Sequence, residues 1–412
     1  GRGGARGAAN LAKGLALSVF FGPAGRLMRT VYLPTLIMSC CSGLIIPILP
    51  VYARSFEISY GLVGWVLAAH GLGTLISDVP AGVLVRRLGH KRVMLLGVAL
   101  NVAGAMALFW VESLFAVVCW RLVSGAGYAL WGISRHAYIA DMIQVEQRGR
   151  TIAVFGGLGR IGTFVGPVVG GVVGAAWGLR VPFLVYAGLG LVCLLAVWAW
   201  MEDEEPASGE ESAQHRLGAV LKAHHQSLLT AGSGQLCAQL IRTARHAIIP
   251  LYAAEIIGLE LDVVGLIVSL SSAIDMLMFY PAGLIMDRWG RKFAYVPSFV
   301  LQALGMALMP LTGDFFSLLP VALLIGLGNG LGSGTMMTLG ADLAPEAARG
   351  EFLGLWRFVG DMGNASGPLV VGHIADLAGL TTAPLIVAGI GLLGAAILGG
   401  LVPETLNRRD SS

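Results

Sequence analysis

The stretch Gly283-Leu284-Ile285-Met286-Asp287-Arg288-Trp289-Gly290-Arg291-Lys292 sets a cluster of charges and turn-forming glycine between two apolar runs, and a weaker copy of it lies half a chain earlier, from Gly82 to Arg92. Pro80, Ala81, Gly82, Arg87, Gly89 and Lys91 correspond to Pro281, Ala282, Gly283, Arg288, Gly290 and Lys292, each displaced by 201 positions. The register continues outward. Gly125, Gly127, Asp141, Arg148, Gly149, Gly166, Pro167 and Gly171 return as Gly326, Gly328, Asp342, Arg349, Gly350, Gly367, Pro368 and Gly372. So many coincidences at one offset read as an internal duplication, and the chain as two related halves.

Composition says what surrounds those halves. Of 412 residues, 56% are hydrophobic and only 12% are charged, a balance far too apolar for a soluble globular chain and suited to a membrane. Glycine, at 59 residues, is abundant. That abundance fits helices that approach closely through small residues, since lipid supplies no hydrophobic drive between them. The net charge of +3 identifies no partner, and no basic run interleaved with aromatics points to nucleic acid. Cys40, Cys41, Cys119, Cys193 and Cys237 all fall inside apolar runs, which favours small packing residues over a disulfide framework or a metal site.

Apolar runs of about 20 residues, the length that crosses a ~30 Å hydrocarbon layer, number twelve. They fall near Val31 to Ala53, Gly61 to Val85, Val93 to Val111, Phe115 to Ile139, Ile152 to Ala175 and Val181 to Trp200, then Ser227 to Ala253, Asp262 to Met286, Phe293 to Thr312, Phe315 to Leu339, Phe352 to Ile374 and Thr381 to Val402. The expected organisation is an amino-terminal tail over 1–30, a six-helix lobe over 31–200, an acidic linker over 201–226, a second six-helix lobe over 227–402 and a tail over 403–412. The chain does not begin with Met, so its start is expected to be trimmed, and Leu15 to Phe21 is too short to span. Basic residues are retained on the cytoplasmic side. Placing the amino terminus inside gathers Arg86, Arg87, Lys91, Arg92, Arg148, Arg150, Arg288, Arg291, Lys292 and Arg349 there and leaves only Arg54 and Arg180 outside. Both termini are then cytoplasmic.

Two six-span halves, each with a Gly-x-x-x-Asp-Arg-x-Gly-Arg-Lys type loop after its second span, resemble the major facilitator superfamily, an all-α fold of twelve transmembrane helices in two pseudo-symmetric lobes. Three stretches resemble its twelve-span drug:proton antiporter branch. These are Pro47-Ile48-Leu49-Pro50 in span one, Arg121-Leu122-Val123-Ser124-Gly125-Ala126-Gly127 in span four, and Gly162-x-x-x-Gly166-Pro167-x-x-Gly170-Gly171 in span five. The resemblance implies that Arg121 serves proton coupling and that the span-five glycines mark an exporter, a role compatible with plain close packing. It also implies that the duplicated loops, with Arg86, Arg87, Gly89, Lys91, Asp287, Arg288, Gly290, Arg291 and Lys292, gate the contact between halves, with Asp141 and Asp342 as partners at the same face. The first copy departs from the pattern by carrying Arg86 where the family has Asp.

Charges deep in spans are costly, at least ~2.5–3.5 kcal/mol each on insertion scales, so each needs a partner or an aqueous cavity. Six arginines qualify, Arg121, Arg135, Arg160, Arg242, Arg245 and Arg357, against two acids, Asp275 and Asp361. Arg121, Tyr128 and Arg135 share a face of span four, and Gln235, Gln239, Arg242 and His246 form a stripe along span seven. Asp361 sits at the duplicate position of Arg160, so a pair across the pseudo-two-fold axis can bridge the halves. Alternatively, Arg357 and Asp361 neutralise each other one turn apart. Asp275 lies well inside span eight. Asp275, Asp361 and Arg121 are the proton-coupling candidates. Arg160, Arg242, His246, Gln239, Arg357 and Tyr128 are the substrate-cavity candidates.

The expected function is secondary active transport by alternating access, as proton-coupled efflux of small amphipathic or anionic compounds, because the deep charges leave the cavity basic. Uptake of an organic anion or sugar is the alternative within the fold, and a non-transporting membrane sensor the alternative outside it. No catalytic triad, metal motif or phosphate loop is evident, so neither an enzyme nor a cofactor is expected. Partners are a small-molecule substrate, protons and the bilayer. The expected location is a bacterial inner membrane, and the resemblance implies a monomer.

Overall fold

The structure, a computed structural model, describes residues 27–142, 145–202 and 213–406, and of these the side chains of 140–153, 213–220 and 347 are not described. The run Leu15 to Phe21, most of the acidic linker, Arg408, Arg409 and the side chains of Asp141, Arg148 and Arg150 lie outside that set.

Each apolar run folds as a helix because no water within a bilayer can satisfy an open backbone. In chain order these are α1 (Met28–Arg54), α2 (Tyr60–Leu88), α3 (His90–Trp110), α4 (Leu114–Met142), α5 (Val145–Trp177) and α6 (Val181–Trp200), then α7 (Ala213–Leu251), α8 (Leu261–Arg288), α9 (Lys292–Leu308), α10 (Phe315–Leu343), α11 (Arg349–Ala378) and α12 (Ala383–Gly400). Among the described residues ten of them are long and apolar enough to span on composition alone. The other two are α7 and α11, whose polar residues lower their hydropathy. Residues 213–223, expected in the linker, are helical up to a kink at His224 (φ −116°, ψ 19°); Leu217, Val220 and Leu221 already carry a helical apolar spacing. Apolar side chains turn outward, as Phe316 and Leu377 do, while Arg121, Arg135 and Asp275 are buried. Polar groups inside and apolar groups outside are the arrangement of a chain solvated by lipid.

Within the amino lobe α1 packs on α5 and α6, and α4 on α2 and α3; in the carboxy lobe α7 packs on α11 and α12, and α9 on α10 and α12. The lobes meet along two seams, α5 with α8 and α2 with α11. The duplication makes the seams equivalent. A Cβ at Gly265 on α8 would fall 2.4 Å from the carbonyl oxygen of Pro167, and one at Gly64 on α2 would fall 2.6 Å from that of Pro368. Only glycine lets backbone approach backbone so closely. At the α5–α8 seam the amide of Val168 donates to Ser269 Oγ at 3.0 Å.

One face of the molecule is closed by polar contacts between lobes. Arg54 Nε pairs with Glu255 Oε1 at 2.8 Å, Tyr60 donates its hydroxyl to Glu255 Oε2 at 2.6 Å, and the Gly61 amide donates to Asp376 Oδ2 at 2.9 Å. Arg54 and Glu255 are duplicate positions, so the pseudo-two-fold axis brings opposite charges onto itself. The opposite face carries the duplicated loops. There Arg291 Nε pairs with Asp342 Oδ2 at 3.1 Å and its Nη1 with Asp287 Oδ1 at 3.4 Å, while Lys292 Nζ donates to the Gly399 carbonyl at 2.7 Å. Gly290 turns the chain at φ 120°. All of these partners belong to the carboxy lobe. Among the described residues the second loop thus closes on its own lobe. Arg86, Arg87 and Arg288 are exposed, and Gly89 turns α2 into α3 at φ 81°.

Glu404 completes the loop by accepting the backbone amides of Arg291 and Lys292 at 2.8 and 3.0 Å, together with those of Thr405 and Leu406. Partial burial works against its charge, but these four donors together outweigh it and hold the carboxyl below its ordinary value. A carboxyl depressed in the fold contributes stability above its unfolded pKa, and that contribution fades as pH falls through the folded value. Glu404→Gln should therefore lower the melting temperature in detergent at neutral pH and converge with the parent below about pH 4. A constant gap across that range would contradict the assignment. At the seam, Gly265→Val should cost ~1–3 kcal/mol by overpacking. Gly82→Val, on α2 with no atom within 4 Å of the added carbon, should be near neutral, and equal melting of the two would show that the seam yields.

Candidate functional site

Asp275, at the middle of α8 and 8% exposed, is held from both lobes. Arg160 of α5 donates Nη1 to Oδ1 at 2.7 Å, Arg245 of α7 donates Nη2 to Oδ2 at 3.3 Å, and Asn329 of α10 donates Nδ2 to Oδ2 at 2.6 Å. Ser333, one turn beyond Asn329, donates to Oδ1 at 3.4 Å and accepts Arg160 Nη2 at 2.7 Å. The Arg160 guanidinium also lies 4.6 Å from the Phe279 ring centroid. Two cations on one anion leave this cluster with an excess positive charge. A cavity of about 350 Å³ opens beside it, walled by Arg160, Arg245, His246, Ser272 and Phe279.

Arg242, one turn before Arg245 on α7, is engaged differently. Its Nη1 meets Gln239 Oε1 at 3.3 Å and its Nη2 donates to the carbonyl of Gly332. α10 breaks there, between Leu331 and Thr335, with Gly334 at φ 75°, and the same carbonyl also accepts the Thr335 amide at 3.3 Å and the Thr335 hydroxyl at 2.7 Å. Broken helices of this kind are tolerated at membrane depth only where other groups take up the freed backbone.

A second cluster lies on the α2–α11 seam. Arg357 Nη2 pairs with Asp78 Oδ1 at 3.3 Å across the lobes, and its Nε with Asp361 Oδ2 at 3.5 Å within α11. The two carboxylates neighbour each other, and Asn364 donates to Asp361 Oδ1 at 3.3 Å. Here one cation serves two anions, so the charge excess is negative.

The amino-lobe side of the interior holds a larger cavity of about 410 Å³, which shares Ile46, Thr163 and His246 with the first as walls. Arg121, Tyr128, His70, Asn101 and Tyr186 line it. Tyr186 donates to Asn101 Oδ1 at 3.1 Å, and the His70 and Tyr128 rings meet at a tilt of 59° with centroids 5.4 Å apart. Arg135, one turn pair beyond Tyr128, is sandwiched between the rings of Trp131 and Phe155, at 3.7 and 4.2 Å, where cation–π contact takes the place of an ion pair.

The structure corrects the expected pairings. Arg160 meets Asp275, not its duplicate Asp361, because the axis that relates the two places them on different seams. Asp361 instead joins Arg357 and a residue that the sequence reading passed over, Asp78. An Asp inside Gly61 to Val85 was a sufficient signal for it, and counting it reduces the positive excess of the deep charges by one. Asn329, Ser333 and Glu255 were also missed, since ordinary polar residues near helix breaks and loops carry no mark of their own. The span-five glycines pack on two sides. Cβ atoms at Gly162, Gly166 and Gly170 would strike the backbone of α1 at Cys40 to Leu44, and one at Gly171 would strike that of α8. Close packing thus accounts for all of them. Pro167 lies between, at the seam.

Comparison with known proteins agrees with this architecture. The family profile described as Major Facilitator Superfamily matches residues 31–233 and again 231–411, one match per half. The tetracycline resistance protein, class C, of Escherichia coli is 25% identical over 351 residues, covering 80% of this chain and 84% of its own. The quinolone resistance protein NorA of Staphylococcus aureus is 23% identical over 369 residues, covering 86% and 91%. Among solved structures, a peptide transporter POT in complex with sulfate superposes with a TM-score of 0.77 at 15% identity, covering 93% of this chain and 96% of that one. Twelve helices among the described residues, in two duplicated lobes joined along two glycine seams and matched half by half by one profile, make this chain an integral multi-pass membrane transporter of the major facilitator superfamily.

Proposed function

We propose that the chain exports small amphipathic or anionic organic compounds in exchange for protons, by rocking its lobes about the two seams. The observation that carries this reading is the Asp275 cluster, in which one carboxylate takes ligands from α5 in one lobe and from α7 and α10 in the other. Any separation of the lobes must change those contacts, so the charge state of the carboxylate and the facing state of the protein are linked. The Asp78–Arg357–Asp361 cluster supplies a complementary element. Its excess negative charge is removed by one proton, which weakens the hold of α2 on Arg357. The resistance functions named for the tetracycline and quinolone relatives support export as the direction, and the basic interior supports an anionic or neutral cargo over a lipophilic cation.

The experiment is transport by purified protein in liposomes with a pH-sensitive dye, under imposed proton gradients. Organic anions should drive substrate-dependent proton movement, and ethidium-like cations should not. Asp275→Asn, and Asp361→Asn combined with Asp78→Asn, should each abolish proton-linked flux while the protein remains monodisperse. Unchanged pH dependence in both variants would reject the coupling role of these carboxylates. Flux with no proton movement at all would make the protein a facilitator or a carrier for another ion.

A further inference from the structure

Of the arginines around the interior and its seams, most already have a protein partner. Arg160 and Arg245 hold Asp275, Arg242 holds a backbone carbonyl and Gln239, Arg357 holds Asp78 and Asp361, and Arg135 lies between two rings. Arg121 differs. It is 6% exposed, its Nε is buried with no acceptor, and among the described residues no hydrogen bond or ion pair engages its guanidinium. It lines the 410 Å³ cavity, whose walls contain no Asp or Glu. A guanidinium keeps its proton under all ordinary conditions, so the fold maintains one uncompensated buried cation aimed into an open space. A charge in that position is stabilised only by water or by an anion that arrives from outside.

The surroundings describe the anion. His70 stands beside Arg121 with its Nδ1 buried and unpartnered, so it is free to present a second donor. Toward α1, α2, α3 and α6 the cavity presents an apolar wall of Leu49, Leu67, Leu108 and Phe183. Thr243, His246 and Asn364 of the carboxy lobe form the opposite wall. We propose that Arg121 seats the carboxylate of a monoanionic substrate with a flat or aliphatic apolar body, that His70 supplies a further hydrogen bond, and that the body lies along Phe183 and Leu67 toward the carboxy lobe. One uncompensated cation selects a single negative charge. A planar guanidinium favours a planar carboxylate through paired hydrogen bonds, and the apolar wall rewards burial of a ring. The inference deepens the reading of an organic-anion exporter and rests on it for the cargo's passage, but it assigns the anion to Arg121 in the amino lobe and withdraws it from Arg160, Arg242 and Arg357.

The test is equilibrium binding of three probes with matched bodies, 1-naphthoate, 1-naphthalenemethanol and 1-naphthylmethylamine, to the purified full chain in detergent by isothermal calorimetry, without a proton gradient. Naphthoate should bind saturably, about tenfold or more tighter than the alcohol, and the amine least of all. Arg121→Gln should erase the preference of naphthoate over the alcohol, whereas Arg121→Lys, which restores the charge without the fork, should regain part of it. Melting temperatures of both variants report folding, and Arg121→Lys keeps the question answerable if Arg121→Gln does not fold. Equal binding of the three probes, no saturable naphthoate binding, or a folded Arg121→Gln that keeps the carboxylate preference would each overturn the assignment. Proton-linked flux of another compound class without naphthoate binding would sink this inference and leave the exporter reading standing. Naphthoate binding without proton-linked flux would do the reverse.

Discussion

The two lobes are held together by backbone against backbone. At each seam a glycine on one helix lies under the carbonyl of a proline-containing turn on another, Gly265 under Pro167 and Gly64 under Pro368. In lipid such contacts must come from dispersion and weak polar contact at short range, because burial of apolar surface gains nothing there. Close approach has a second effect. It brings the side chains flanking each seam within hydrogen-bonding distance across the lobes, and so it sets where Arg160 can reach Asp275 and where Arg357 can reach Asp78. The polar interior is a consequence of the glycine seams.

The duplication makes these seams alike in backbone while their side chains have diverged. Thr74 stands at the duplicate position of Asp275, Phe279 at that of Asp78, and Arg160 at that of Asp361. One seam therefore carries a carboxylate with two cations, and the other a cation with two carboxylates. The opposed charge excesses lie on different seams. This asymmetry within a symmetric frame gives a rocking protein two elements of opposite electrostatic preference. At the closed face the same symmetry is used directly, with Arg54 facing its own duplicate, Glu255.

The positions of charge also explain how the interior remains soluble in itself. Arg135 is stabilised by rings, Arg242 by the Gly332 carbonyl at the break in α10, and Arg160 and Arg245 by Asp275. Arg121 is left to the cavity. Each solution draws on a different part of the fold, and each is invisible in the residue's own neighbourhood in the sequence.

By itself the sequence determined the fold and its duplication, because membrane thickness fixes helix length and lipid forbids open backbone, so twelve apolar runs at a constant offset admit one organisation. It also identified which residue types had to be functional or paired, since a charge such as Asp275 or Arg121 inside a span cannot be idle. Even the polarity of α7, which lowers its hydropathy, was legible as a stripe of Gln235, Gln239, Arg242 and His246 that cannot face lipid. Tertiary structure alone decided the partners. Duplicate positions suggested Arg160 with Asp361, but a two-fold axis carries equivalent residues to opposite seams, and only packing shows which helix each seam contains. Asn329, Ser333 and the Gly332 carbonyl became ligands through a helix break. Among the described residues Arg121 was left without a counter-charge because the walls of its cavity carry no Asp or Glu.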